Sequence, residues 1–123
     1  MPDPHLHPEL FIRIYLRDRD MLGPGKAELL EGIGRTGSIS AAGRALGMSY
    51  KRAWQLTETM NAMFRAPLVE SARGGAGGGG ASLTPSGRQV LTLYREIEAE
   101  AAHAVEDRIA ALRDLLSDIS DKK

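Results

Sequence analysis

The sequence predicts a mainly α-helical fold with a small β component, and three observations predict it. Apolar residues recur every three or four positions in several segments, and serine or threonine precedes three of them as a candidate helix cap. Two short strand-like segments flank a glycine tract at 74–80. The chain from residue 85 to about 117 is compatible with one long helix. At 123 residues the chain suits a single domain.

Composition excludes several classes of protein. The chain has no cysteine, which excludes disulfides and thiolate metal sites. No segment approaches the run of about 18 apolar residues that a membrane span needs. The start, MPDPHLHPEL, lacks the basic and apolar regions of a signal peptide. We therefore expect a cytoplasmic protein with no membrane partner.

The net charge of zero conceals two oppositely charged segments. Residues 35–95 hold eight basic and two acidic residues, a net charge of +6, whereas residues 96–121 hold eight acidic and two basic residues, a net charge of −6. A basic segment attracts phosphate backbones, and an acidic segment elsewhere limits non-specific binding. Chance asymmetry in a small domain is the alternative.

The first part of the chain predicts a lead, a strand and a helix. Residues 1–9 contain three prolines, and we expect a disordered lead whose His5 and His7 bind no specific metal. Residues 10–17, LFIRIYLR, predict a strand that needs a partner later in the chain. A loop ending in Gly-Pro-Gly precedes a predicted helix at 26–36.

Two further helices, at 38–46 and 49–64, are joined by a tight glycine turn. Ser38 and Ser49 can cap them, and Gly47 can supply the left-handed residue that ends the first one. This layout is that of a helix-turn-helix, which places its second helix in the DNA major groove.

The second of these helices has distinct faces at about 100° per residue. An apolar stripe around Ala53 would hold it to the domain, while Lys51 and Gln55 lie opposite, flanked by Arg52 and Thr59. Lysine and arginine donate to guanine or phosphate, and glutamine pairs with adenine. An ordinary helical hairpin with a solvated basic face is the alternative.

Residues 67–83 predict a β-hairpin beside the helices, a wing with Arg73 as its candidate DNA contact. A phosphate-binding loop is a second interpretation, but the tract has no GK[ST] and is followed by a strand-like segment. A flexible linker is a third interpretation, and the strand-like flanks argue against it.

Residues 85–117 predict one long helix that opens with the Thr84 cap and Pro85 and is weakened only by Gly87. Its apolar stripe is longer than a small three-helix unit can cover, so we expect it to pair with another chain about a two-fold axis. The alternative for this segment is a frayed acidic tail. We expect residues 118–123 to form a short tail after the helix. Glu100 and His103 have the i, i+3 spacing of carboxylate-bridged metal sites, but such sites need several of these motifs and the sequence has one. The sequence shows no catalytic constellation either, so we predict no cofactor, no metal and no enzyme activity.

Two segments, TGSISAAGRALGMSYKRAWQLTETMN and PLVESARGGAGGGGASLTPSGRQVLTLY, closely resemble the N-terminal winged helix-turn-helix domain of ModE, the bacterial molybdate-responsive transcriptional regulators. The TGSIS opening is shared more loosely with LysR-type regulators. The resemblance covers about residues 26–94. It implies a winged helix-turn-helix with a long C-terminal dimerisation helix.

The resemblance also implies a homodimer formed through the N-terminal strand, the first helix and the long helix. ModE regulators usually continue into domains that bind molybdate, and since this chain stops before them we assign no oxyanion ligand. We predict a homodimeric regulator that binds double-stranded DNA; the alternative is a protein-interaction module that pairs with a full-length regulator or another regulatory partner protein. The predicted DNA contacts are Ser38, Ser49, Tyr50, Lys51, Arg52, Gln55, Thr59, Arg73, Gly74 and Gly75, and the predicted dimer contacts are Phe11, Ile97, Ala101, Val105, Ile109, Leu112 and Leu116.

Overall fold

The computed structural model describes residues 10–75 and 78–117, without the side chains of residues 72–79. The predictions for the lead at 1–9 and the tail at 118–123 lie outside the described residues. The elements are β1 (Ile14–Tyr15), β2 (Met21–Leu22), α1 (Pro24–Thr36), α2 (Ile39–Ala45), α3 (Tyr50–Met63), β3 (Val69–Gly75), β4 (Gly78–Leu83), α4 (Pro85–Ala104) and α5 (Glu106–Asp114).

The first strand is shorter than predicted and has its partner nearby. Of residues 10–17, only Ile14 and Tyr15 form a strand, and β1 pairs antiparallel with β2, in the segment predicted as a loop. The chain reverses because the Leu16 amide donates to the Asp20 carbonyl at 2.8 Å, while the Arg17 guanidinium pairs with the Asp20 carboxylate at 2.7 Å. Periodicity alone could not show this turn.

Helices α1, α2 and α3 enclose the core. Helix α1 begins at Pro24, two residues earlier than predicted, because proline fits the first helical position. Its Leu29, Leu30 and Ile33 are fully buried against Ala53 and Met60 of α3 in one apolar cluster. This three-helix packing fixes the orientation of α3.

Strands β3 and β4 form the predicted hairpin and are anchored to the helices at two points. The Asn61 side chain accepts from the Leu68 and Val69 amides at 2.8 and 3.0 Å, which joins the end of α3 to β3. The Ala81 amide donates to the Gly37 carbonyl at 2.9 Å, which joins β4 to the turn after α1. The hairpin pairing shifts register between Ala72 and Gly75.

The predicted single long helix is divided into α4 and α5. At Val105 the backbone adopts φ −109° and ψ 9°, outside the helical range, and no residue of α5 is buried. A β-branched residue is a weak helix former, and Val105 is only half-buried among the described residues. The mainly α winged helix-turn-helix class is nevertheless confirmed. Within the described residues, no helix is both long and apolar enough to cross a membrane.

Candidate nucleic-acid interface

The helix-turn-helix is built by two serine caps and one left-handed glycine. Ser38 accepts from the Ala41 amide and Ser49 accepts from the Arg52 amide, each at 3.0 Å. Gly47 has φ 76°, a value that favours glycine because it has no Cβ. The turn is closed by the Met48 amide, which donates to the Gly43 carbonyl at 2.9 Å. Both predicted caps and the predicted role of Gly47 are confirmed.

Helix α3 has the two faces that its periodicity predicted. Ala53, Thr57 and Met60 are buried, and the Thr57 hydroxyl donates to the Ala53 carbonyl at 2.9 Å, so its polar group is satisfied. Lys51 and Gln55 are exposed on the other side of the helix. The fold therefore presents the polar side of α3 outward.

The predicted DNA-binding residues of the helix-turn-helix are not equally accessible. Tyr50, Lys51, Arg52, Gln55 and Thr59 are exposed along α3. The hydroxyls of Ser38 and Ser49 are engaged as caps, which orients the helices. These roles in DNA contact remain predictions.

The wing residues are described by their backbone alone. Arg73, Gly74 and Gly75 lie in β3, and Gly75 pairs with Gly78. The side chain of Arg73 lies outside the described part of the chain, so its contact with DNA also remains a prediction.

Two exposed side chains were missed by the sequence reasoning. Trp54 is 41% exposed on α3, one turn after Tyr50, and Arg44 is exposed at the last turn of α2. Trp54 could have been found from its i, i+4 spacing to Tyr50. Arg44 could have been found because the first helix of this motif lies near the DNA backbone.

Arg95, one of the basic residues of the segment 35–95, does not contribute to a basic surface. Arg95 pairs with Glu31 at 2.6 Å and with Glu98 at 2.8 Å, and with Glu28 at 3.5 Å. Burial disfavours its charge, but the hydrogen bonds to Glu98 and Glu31 outweigh that effect and raise the pKa of Arg95. This network joins α1 to α4 and leaves the basic character to the other residues.

The predicted dimer residues are at least partly accessible on this chain. Leu112 is 64% and Leu116 is 70% exposed, and Phe11 and Ile97 are exposed as well. Ala101, Val105 and Ile109 are half-buried. The sequence reasoning missed Leu93 and Leu115, which are also exposed apolar side chains.

The fold and the outward polar side of α3 define the class, a winged helix-turn-helix protein of the DNA-binding regulatory type. Residues 26–88 match the family described as bacterial regulatory helix-turn-helix protein, lysR family. The chain belongs to that family. This membership supports DNA-binding transcriptional regulation as its function.

Similar proteins carry names that agree with the ModE resemblance. The chain is 51% identical over 81 residues to the molybdenum-pterin-binding protein MopB of Rhodobacter capsulatus, which covers 66% of the chain and 30% of MopB. It is 38% identical over 115 residues to the transcriptional regulator ModE of Yersinia pestis, and 37% identical over 116 residues to the DNA-binding transcriptional dual regulator ModE of Escherichia coli K12. Each of these two matches covers 91% of the chain and 44% of the relative, so the chain spans less than half of their length.

Proposed function

We propose that the chain is a sequence-specific regulator that binds double-stranded DNA as a homodimer. The observation that carries this proposal is the orientation of α3, whose first two turns expose Lys51, Arg52 and Gln55 while its opposite side is buried. In a helix-turn-helix the start of the second helix contacts base edges. Lys51 and Arg52 suit guanine or phosphate, and Gln55 suits adenine.

The wing supplies a second DNA contact in this proposal. Strand β4 is joined to the turn after α1, because the Ala81 amide donates to the Gly37 carbonyl. Arg73, with Gly74 and Gly75, would meet the phosphate backbone beside the groove that α3 enters. Such a contact adds affinity without reading sequence.

A homodimer is supported by the unpartnered apolar side chains of the last two helices. Leu93 and Ile97 are exposed on α4, and Leu112, Leu115 and Leu116 are exposed at the end of the described chain. An antiparallel pairing of two copies would cover them and present two α3 helices to a two-fold DNA site. The site of action is the cytoplasm, and the names of the relatives suggest genes related to molybdenum as targets.

The experiment that tests the proposal is selection of bound DNA from a random duplex pool, with the mass of the protein in solution measured alongside. We expect a dimeric mass and an enriched motif with two-fold symmetry. Enrichment of no motif would reject sequence-specific binding. A dimer that enriches nothing would favour the second candidate, a protein-interaction module, because the exposed leucines of α5 and its C-terminal end would then serve a protein partner.

A further inference from the structure

A cavity of about 600 Å³ lies between the first hairpin, the start of α1 and the start of α3. It is lined in part by Met21, Met48 and Leu56, which provide an apolar wall. Arg13, Lys26 and Arg52 line it as well. The volume falls within the range of about 300–1,000 Å³ that is typical of small-molecule sites.

The three cations come from three different parts of the chain, and none of the described residues that line the cavity carries a carboxylate. Arg13 immediately precedes β1, Lys26 lies in the first turn of α1, and Arg52 lies in the first turn of α3. Within residues 10–75 and 78–117, none of the three forms an ion pair. The cavity therefore holds an excess of positive charge.

The Lys26 ammonium is held in place inside this arrangement. Its Nζ donates to the Met21 carbonyl at 2.8 Å, so the side chain is oriented by β2. Burial lowers the pKa of Lys26, and the nearby Arg52 charge lowers it further, although Asp20 partly opposes both effects. Like charges that are brought together in this way repel, and a bound anion would relieve the repulsion.

We propose that this cavity binds a small organic anion, with its acidic group between Arg13, Lys26 and Arg52 and its apolar body on Met21, Met48 and Leu56. Guanidinium groups bind carboxylate and phosphate oxygens through paired hydrogen bonds, and an ammonium adds a point charge. An apolar wall with a few oriented polar groups is the composition of a ligand site. This assignment shares Arg52 with the proposed DNA contact of α3, whereas Arg13 and Lys26 belong to the cavity alone.

A DNA phosphate is another source of the same anionic group, and the first experiment distinguishes the two sources without DNA. The full chain, labelled with ¹⁵N, is titrated at constant ionic strength with phenyl phosphate, inorganic phosphate and phenol. We expect saturable shifts of the Gly25, Lys26 and Arg52 amides with phenyl phosphate, and affinity about tenfold weaker for each of the other two probes because each lacks one half of the ligand. Equal affinity for inorganic phosphate, or no saturable shift, would overturn the proposal.

Two cavity variants and one control variant complete the test. Lys26→Gln removes one cation, and Gly25→Glu places a carboxylate on the cavity wall, where an added Cβ meets no atom within 4 Å. Gly25→Glu leaves the hydrogen bond of Lys26 intact, so it serves even if Lys26→Gln disturbs the fold. We expect both to weaken phenyl phosphate binding about tenfold, which is about 1.4 kcal/mol, because each disturbs one charge-assisted contact.

The matched control is Arg19→Gln, which removes a cation from the same hairpin outside the cavity. Its affinity for phenyl phosphate should equal that of the unaltered chain. Cavity variants that bind as the unaltered chain does, or a control that loses as much affinity as they do, would refute the site. Because no DNA is present, a failure of the DNA-binding proposal leaves these outcomes unchanged.

Discussion

At the scale of single residues, Gly87 shows how one position joins two elements. It is buried in the first turn of α4, where an added Cβ would overlap the carbonyl oxygen of Leu68. The Thr84 hydroxyl accepts from the Gly87 amide at 2.9 Å and donates to the Pro67 carbonyl at 2.7 Å. The start of α4 is thus fixed against the residues that precede β3.

We therefore expect Gly87→Ala to destabilise the protein by about 1–3 kcal/mol, the usual cost of overpacking. The measurement is urea unfolding at neutral pH. Gly25→Ala is the matched control, because Gly25 is also in the first turn of a helix but faces open space. The control should be stabilised by about 0.4–1 kcal/mol. Equal effects of the two substitutions would contradict the close approach.

Gly87 also marks what sequence reasoning could and could not predict. Its low helix propensity predicts that Gly87 weakens the helix. Its contact with Leu68, nineteen residues earlier, depends on the tertiary fold and was not predictable. The caps at Ser38 and Ser49 were predictable because capping is local. The cavity formed by Arg13, Lys26 and Arg52 was not, because its residues meet only after three elements have packed.

Lys51 tests the proposed orientation of α3. We expect Lys51→Ala to weaken binding to the selected duplex by about 1–3 kcal/mol and to relax the preference at one base pair, if the ammonium contacts a base. Fluorescence anisotropy with the selected duplex and single-base variants measures both. Arg108→Ala, which removes an exposed basic side chain from α5, should leave DNA binding unchanged.

Two other results for Lys51 would be equally clear. An equal loss on every duplex, with a salt slope smaller by about one, would assign Lys51 to a phosphate and not to a base. No loss at all would reject the orientation of α3 that we propose.

At the scale of elements, Tyr94 connects α4 to the residues before β1. It is 1% exposed, and its hydroxyl donates to the Ile12 carbonyl at 2.6 Å. Burial raises the pKa of Tyr94 to about 12, and the neighbouring Glu98 adds to the rise. The fold therefore favours the neutral phenol.

This raised pKa makes stability depend on alkaline pH. Stability from the neutral Tyr94 is fully present below the ordinary pKa of 10.0 and is lost as pH rises towards 12. We expect this single group to account for about 2–3 kcal/mol over that range. Urea unfolding between pH 8 and 12 measures the loss, and Tyr94→Phe should reduce it by this amount.

The tyrosines also give a direct spectroscopic check. Tyr94→Phe should remove the absorbance change of phenolate formation that the Tyr94 side chain of the unaltered protein gives near pH 12. An absorbance change near pH 12 that is the same in Tyr94→Phe as in the unaltered protein would contradict the raised pKa of Tyr94. At neutral pH, Tyr94→Phe should still cost about 1 kcal/mol because it leaves the Ile12 carbonyl without this donor.

The elements also differ in how well periodicity predicted them. Helices α2 and α3 agree with the predicted ranges to within one residue at each end, because their caps and glycine turn are local signals. The first strand is much shorter than predicted, since a side-chain pair between Arg17 and Asp20 turns the chain early. The long helix is divided at Val105, where the apolar pattern continues but the backbone leaves the helical range.

At the scale of the whole molecule, the basic and the acidic residues lie in different segments of the chain. The net charge of +6 over residues 35–95 belongs mainly to the helix-turn-helix and wing, whereas the net charge of −6 over residues 96–121 belongs to the end of α4, to α5 and to the C-terminal residues. An acidic end would be repelled by DNA, so it helps to orient the basic side towards the duplex. The exposed leucines of α5 and its C-terminal end lie in that acidic part, which suits a protein partner better than a nucleic acid.

Leu112 offers the most direct test of the proposed homodimer. We expect Leu112→Glu to convert the dimer to a monomer, because it would place a charge inside an apolar interface, and to reduce affinity for a two-fold DNA site. Sedimentation equilibrium gives the mass, and circular dichroism shows whether the fold is retained. Ala110→Glu is the matched control, since it adds the same charge to α5 at an exposed position on the side away from Leu112, Leu115 and Leu116. A Leu112→Glu protein that keeps its dimeric mass would exclude this surface as the dimer contact, whereas a control that also dissociates would show that charge on α5, and not the apolar stripe, governs association.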